Sequence, residues 1–284
     1  VRGWQKKAGP LAVAVSLLLV LSGCITPGGG QDPVSREAKP KTIGLAVYYE
    51  KVTAGDAYLV REVHEVPYTK EVARAALEEL IRGRPSTPGA FRVLPSSTRV
   101  RGISIHDGLA TVDFSREVLQ ARVGSAGELL GIQSIVDTLT EWPAIRKVSF
   151  LVDGRLDQRA RDWWGHAGLY GQPFTRDLAK VYEPAIWVSE PAPGRKVRSP
   201  LAIRGSARVF EGVVNARLED AAGTVLAAGH TVAAADASGR GDFAMSLPFT
   251  APAGAGRLTV FAVSPKDGTE INKVVIPIIW GQDR

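Results

Sequence analysis

Cysteine is nearly absent from this chain: Cys24 is the only one among 284 residues. No intramolecular disulfide can form, so any folded part must be held by hydrophobic cores. Histidine is scarce too. His64, His106, His166 and His230 are the whole set, and none has a metal-ligand spacing such as H-x-x-x-H, so no metal site is expected. No Gly-rich loop of the P-loop kind occurs. Gly124-Ser125-Ala126-Gly127 is not the G-x-S-x-G elbow of a hydrolase. Asp236, Ser238, Arg240 and Asp242 alternate faintly like a calcium loop, but calcium needs six to eight oxygens and Arg240 stands where a ligand should be. A hairpin turn is the better reading there, and Arg240-Gly241-Asp242 is a chance triplet. The expectation is a chain that is not an enzyme, with no cofactor, no metal and no catalytic residue.

Charge of one sign is also thin. Lys+Arg is 35 against Asp+Glu 29, for a net charge of +6. Half of that excess is Arg2, Lys6 and Lys7, in a stretch with no acid. No dense Lys/Arg block follows, so nucleic acid is not an expected partner. Long apolar runs are missing beyond Leu21, and no later segment suits a membrane span.

What is present begins at the amino terminus. The basic cluster precedes LAVAVSLLLVL (Leu11–Leu21), a run of about 11 residues that suits the apolar region of a signal peptide. It ends in Leu21-Ser22-Gly23-Cys24, which resembles a bacterial lipobox. That resemblance implies a signal peptide over 1–23, acylation of the Cys24 thiol, and cleavage that leaves Cys24 first. Two or more acyl chains hold a protein stably, at about 0.8 kcal/mol per buried CH₂. Ile25 is not the Asp that resembles an inner-membrane retention signal. Residues 25–40, rich in Gly, Pro and charge, read as a flexible tether of roughly 20–25 Å, giving a segment 24–40 between anchor and fold. The expected location is the extracytoplasmic face of a membrane.

Residues 41–178 read as an α+β domain. TIGLAVYY (42–49) and DAYLVREVHEV (56–66) are strand-like. The period then changes: Val72, Ala76 and Leu80, beside Ala73, Leu77 and Ile81, mark an amphipathic helix from Tyr68 to Arg82, with Thr69 to cap it and Gly83 to end it. Residues 85–97 read as a loop. Val100–Ile105 and Leu109–Phe114 flank His106-Asp107-Gly108, and Asp-Gly favours a tight hairpin. Ser125-x-x-Glu128 spells a capping box before a stripe of Leu129, Ile132, Val136 and Leu139. A strand at 146–152 ends at Asp153-Gly154. The order is β-β-α-β-β-α-β, two helices against one sheet.

From TKEVARAALEELIRG through LPSSTRVRGISIHDGLATVDFSRE to GSAGELLGIQSIVDTLTEWPAIRKVSFLVDG, and on to Gly165-His166 and Pro173-Phe174-Thr175-Arg176, the chain resembles the GerM domain of sporulation and spore-germination proteins. The resemblance implies a fold like the ring-building modules of secretion-type assemblies, with a scaffold or assembly role and no known catalysis.

Residues 184–281 carry strand-like runs every 8–15 residues (185–189, 201–207, 215–220, 225–232, 241–247, 258–264 and 273–279), separated by turn residues such as Pro193-Gly194, Ala222-Gly223, Ser238-Gly239 and Asp267-Gly268. About seven short strands in about 100 residues read as an immunoglobulin-like β-sandwich without the Cys…Trp…Cys hallmark. The stretch 177–183 reads as the joint. IWVSEPAP, LAIRGSA, GRGDFAMSLPF and LTVFAVSPKD resemble the immunoglobulin-like domain found beside GerM domains in spore-germination proteins, which implies adhesion or spacing.

Two functions remain on these grounds. One is a non-catalytic scaffold or assembly lipoprotein of sporulation, germination or the envelope, with protein partners and self-assembly. The other is a peptidoglycan-binding module or an accessory of an envelope sensor. Glycan binding would need exposed aromatics, and Trp163, Trp164 and Tyr170, with His166, are the one cluster to supply a surface. The Trp pair reads alternatively as the lid of a core.

Overall fold

The protein is described by a computed structural model covering residues 41–121, 124–235 and 239–281. Residues 41–284 form one compact unit. The lipobox-like run, Cys24 and the stretch 25–40 read as a tether lie outside the described residues.

The α+β part opens with a long antiparallel hairpin, β1 (Thr42–Val52) and β2 (Ala57–Pro67), in register from Thr42↔Pro67 to Val52↔Ala57. Helix α1 (Val72–Arg82) follows. It buries Ala73, Ala76, Leu77, Leu80 and Ile81, the i, i+3, i+4, i+7, i+8 stripe of a surface helix. It starts later than the sequence suggests. The Thr69 hydroxyl accepts from the Glu71 N–H at 3.0 Å in the turn ahead of the helix, which Glu71 itself precedes. The following loop contains a two-residue strand, β3 (Ala90–Phe91), paired to β1.

Strands β4 (Val100–His106) and β5 (Leu109–Phe114) form the expected hairpin. Asp107 and Gly108 both take positive φ, 50° and 83°, as a two-residue turn that matches strand twist requires. Helix α2 (Ser125–Leu139) then crosses over to β6 (Lys147–Val152), which lies parallel to β5. A short helix α3 (Gln158–Arg161) and the small strands β7 (Phe174–Thr175) and β8 (Val181–Glu183) complete this part.

The strands form two sheets rather than one, ordered β3-β1-β2-β8 and β4-β5-β6-β7. One core joins them through the helices: Val47 and Tyr49 from the first sheet share it with Leu77, Ile132, Val136, Val112 and Phe150. Because α2 packs toward both sheets, it is buried almost all round, down to Ser134, Asp137 and Thr138. This explains why a single stripe misplaces one of its members. Leu129 is exposed and Leu130 is buried in its stead. Gly124, one residue before Ser125, occupies the N-cap position, and Glu128 accepts from the His166 backbone N–H.

The second part contains β9 (Ile186–Glu190), β10 (Lys196–Val197), β11 (Leu201–Ala207), β12 (Val213–Asp220), β13 (Val225–Val232), β14 (Ala234–Ala235), β15 (Gly241–Leu247), β16 (Gly254–Val263) and β17 (Glu270–Trp280). They form two sheets, β10-β17-β16-β12-β13 and β14-β15-β11-β9. Alternation aims Val214, Ala216 and Leu218 of β12, Leu258 and Val260 of β16, and Leu201 and Ile203 of β11 into a common core with Phe243 and Trp280. This is a β-sandwich of the immunoglobulin-like kind, with all seven strand-like runs present as strands.

Candidate functional site

The four residues nominated for a surface do not act together. Trp163 and Trp164 are 3% and 6% exposed. Their rings lie 4.3 Å apart, and Trp163 meets Phe114 and Phe150 edge-on. Gly131 in α2 makes the room: a Cβ there would come within 2.6 Å of the Trp164 ring. Glycine in mid-helix lowers stability by roughly 0.5–1 kcal/mol relative to Ala, so the packing of Trp164 accounts for its presence. His166 and Tyr170 are outside this core. The Glu128 carboxylate accepts from the His166 backbone N–H and meets its Nδ1, both at 3.0 Å. The Tyr170 hydroxyl donates to Asp162 Oδ1 at 2.6 Å, and only this ring of the three aromatics stands in solvent.

The densest polar chemistry lies elsewhere, where the α+β part meets the sandwich. The stretch 177–183, read as a joint, ends in strand β8, parallel to β2 at Leu59 and Val60. Five contacts pin it from the β1–β2 hairpin. Glu183 Oε1 accepts from Lys51 Nζ at 2.9 Å and from the Tyr58 hydroxyl at 2.7 Å. Asp56 holds Lys180 at 3.1 Å and the Tyr182 hydroxyl at 2.8 Å. Tyr58 and Tyr182 stack at 4.8 Å.

Arg240, immediately before β15, reaches back across the joint. It is 3% exposed. Its Nε donates to the Val181 carbonyl at 2.8 Å and its Nη2 to the Pro184 carbonyl at 2.7 Å. Its guanidinium lies 4.1 Å from the ring centre of Trp187, and Arg61 of β2 lies 5.0 Å from the same ring. Burial pushes the Arg240 guanidinium down to about 10. A small apolar cluster spans the same place: Tyr48 and Leu59 from the hairpin, Leu130 from α2, Val181 from β8 and Trp187 from β9.

Beside it stands an ionic network. Glu141 accepts from Arg61 Nε and Nη2 at 3.2 and 2.9 Å, from Arg176 Nη2 at 2.7 Å and from the Tyr48 hydroxyl at 2.5 Å. Burial pushes the Glu141 carboxyl up, but the two guanidiniums outweigh it and hold it at about 2. Arg176 also donates to the Asp137 carbonyl at 3.0 Å. Burial pushes the Asp137 carboxyl itself up to about 7.

A second cluster ties β2 to α1. His64 meets Glu79 Oε1 through Nδ1 and Glu62 Oε2 through Nε2, both at 2.7 Å. The carboxylates sit on opposite ring nitrogens, so they do not converge on a point where a cation could sit. Among the described residues no group of three or more His, Cys, Asp or Glu could hold a metal ion.

Sequence reasoning passed over Arg240 and Trp187. The buried arginine was visible only as a residue out of place in a Gly-rich turn, and its carbonyl partners lie 56 and 59 residues away.

The fold and this junction define a class: a two-module protein whose α+β and immunoglobulin-like parts are held together by buried contacts. Residues 46–158 match the family described as sporulation and spore germination, and residues 185–269 match the immunoglobulin-like domain of bacterial spore germination. The chain therefore carries a domain of the sporulation and spore germination family followed by an immunoglobulin-like domain of the spore-germination type. Over 103 residues it is 33% identical to the spore germination protein GerM of Bacillus subtilis (strain 168), covering 35% of this chain and 28% of that one. The chain thus spans little more than a quarter of that relative's length. Among solved structures it resembles the tandem GerMN domains of Bacillus subtilis GerM at 25% identity and a TM-score of 0.39, over 48% of this chain and 46% of that one. It also resembles the first GerMN domain alone at 27% identity and a TM-score of 0.37, over 48% of this chain and 96% of that one. The fold itself stands on the strand pairing described above.

Proposed function

We propose that this chain is a membrane-anchored, non-catalytic scaffold or assembly lipoprotein of sporulation, spore germination or the cell envelope. One observation carries the reading. A spore-germination α+β domain and a spore-germination immunoglobulin-like domain are joined by a buried arginine, a paired strand and a shared apolar cluster. A presenting scaffold needs its modules in fixed register, whereas two independently recruiting modules would need a loose linker. The lipobox-like run ending at Cys24 supports attachment to a membrane through acyl chains. Extracytoplasmic exposure follows from that attachment. The partners are other proteins of the envelope or spore assembly, together with further copies of the chain.

Peptidoglycan binding is less well supported, because the Trp pair that would have formed a sugar platform lies in the core. Crosslinking in the native cell, at native protein level, followed by mass spectrometry tests the proposal. Capture of envelope or spore-assembly proteins, or of a ladder of the chain itself, is the expected result. Capture of peptidoglycan fragments with no protein would overturn it.

A further inference from the structure

Five arginines scattered along the sequence line one groove of the α+β part. Arg99 and Arg101 come from the start of β4, Arg116 follows β5, and Arg155 and Arg159 come from the turn after β6 and from α3. The groove has a volume of about 750 Å³. Its lining carboxylates are Glu117, Asp153 and Asp157, so the five arginines outnumber them by two; a hydrogen bond from Ser115 holds the Glu117 carboxyl below its usual range. Asp153 holds Arg116 Nε at 2.7 Å and Arg101 Nη1 at 3.4 Å, and Asp113 holds Arg101 Nε at 3.2 Å. Asp157 caps α3 by accepting from the Ala160 N–H at 2.9 Å. Arg155 and Arg159 are exposed and make no ion pair or side-chain hydrogen bond among the described residues. The groove sits at the carboxyl ends of β5 and β6, parallel neighbours connected through α2.

We propose that this groove binds a phosphate-bearing anion. Guanidinium groups match phosphate oxygens in a planar fork and keep their charge at any physiological pH. A carboxylate offers two oxygens in one plane, a position that Asp153 and Asp113 already fill. A tetrahedral phosphate can instead meet guanidiniums arriving from β4, from β5 and from the β6–α3 turn. The phosphate could belong to a soluble polymer or to a lipid headgroup, and the two sources separate experimentally.

The test uses residues 41–284, the compact unit that holds every core described above. Inorganic polyphosphate is one probe, and vesicles of phosphatidylglycerol in phosphatidylcholine are the other. The variant is Arg155→Ala/Arg159→Ala, and the charge-matched control is Arg195→Ala/Lys266→Ala in the sandwich. Both pairs are exposed, so thermal melts should coincide with the parent. The expected result is polyphosphate binding that falls about tenfold or more in the groove variant, the loss of two charge-assisted contacts, and does not change in the control. Vesicle binding lost in the same variant would assign the phosphate to a lipid headgroup. Polyphosphate binding without vesicle binding would assign it to a soluble ligand. The proposal is overturned if neither probe binds, if both variants lose affinity equally, or if polyglutamate binds as tightly as polyphosphate.

Discussion

Replacing Arg240 with alanine should uncouple the two modules. The guanidinium makes two short charge-assisted hydrogen bonds to backbone carbonyls, at 2.8 and 2.7 Å. Bonds of this kind contribute about 1.5–3 kcal/mol each. The stack on Trp187 at 4.1 Å adds about 1–2 kcal/mol in a desolvated setting. Against this stands the cost of burying the charge. Holding the group at about 10, against an ordinary arginine near 12.5, opposes folding by about 3 kcal/mol. The balance is a loss of about 3 kcal/mol on truncation, concentrated at the joint because the Val181 and Pro184 carbonyls lose their donors. Each module keeps its own core. Differential scanning calorimetry of residues 41–284 should therefore show one transition for the parent and two for Arg240→Ala. Arg240→Lys should fall between, since it keeps charge but not the planar fork. A single transition in Arg240→Ala, within about 1 kcal/mol of the parent, would refute the reasoning.

Other outcomes follow from the same structure. Asp137 ionises near pH 4 when unfolded and at about 7 when folded. The native state therefore holds an extra proton in between, and stability present below pH 4 is lost as pH rises through 7. Asp137→Asn should flatten that slope and stabilise the protein at pH 8 by an amount on the order of 4 kcal/mol at most, read by urea denaturation at pH 5 and pH 8. Gly131→Ala gains about 1 kcal/mol of helix propensity but drives a methyl into Trp164 and Val93. Net destabilisation of about 1–2 kcal/mol is expected, with a change in tryptophan fluorescence. Cys24→Ala should abolish incorporation of a metabolic fatty-acid label into the chain. Retention of the label would remove the lipid anchor from the account.

Local signals in this sequence were legible because their causes are local. Asp107-Gly108 needs only two residues at positive φ to close its hairpin. The α1 stripe needs one face to bury, and strand alternation in the sandwich needs one sheet to cover another. What escaped depends on distant partners. Leu129 and Leu130 exchange roles because α2 packs toward two sheets, a condition no helical period reports. Trp163 and Trp164 occupy a loop by sequence, yet Gly131 far upstream opens the space that takes Trp164 inside. Arg240 looks like a turn residue until the carbonyls of Val181 and Pro184 are brought beside it. The arginine groove shows no dense basic block because its members run from Arg99 to Arg159.

The α+β and immunoglobulin-like modules behave as one body, pinned through β8 and Arg240. Residual dipolar couplings measured on residues 41–284 in a weakly aligned medium test it most directly. Couplings from both modules should fit a single alignment tensor. Two tensors of different magnitude, one for each module, would show independent motion across β8 and contradict it.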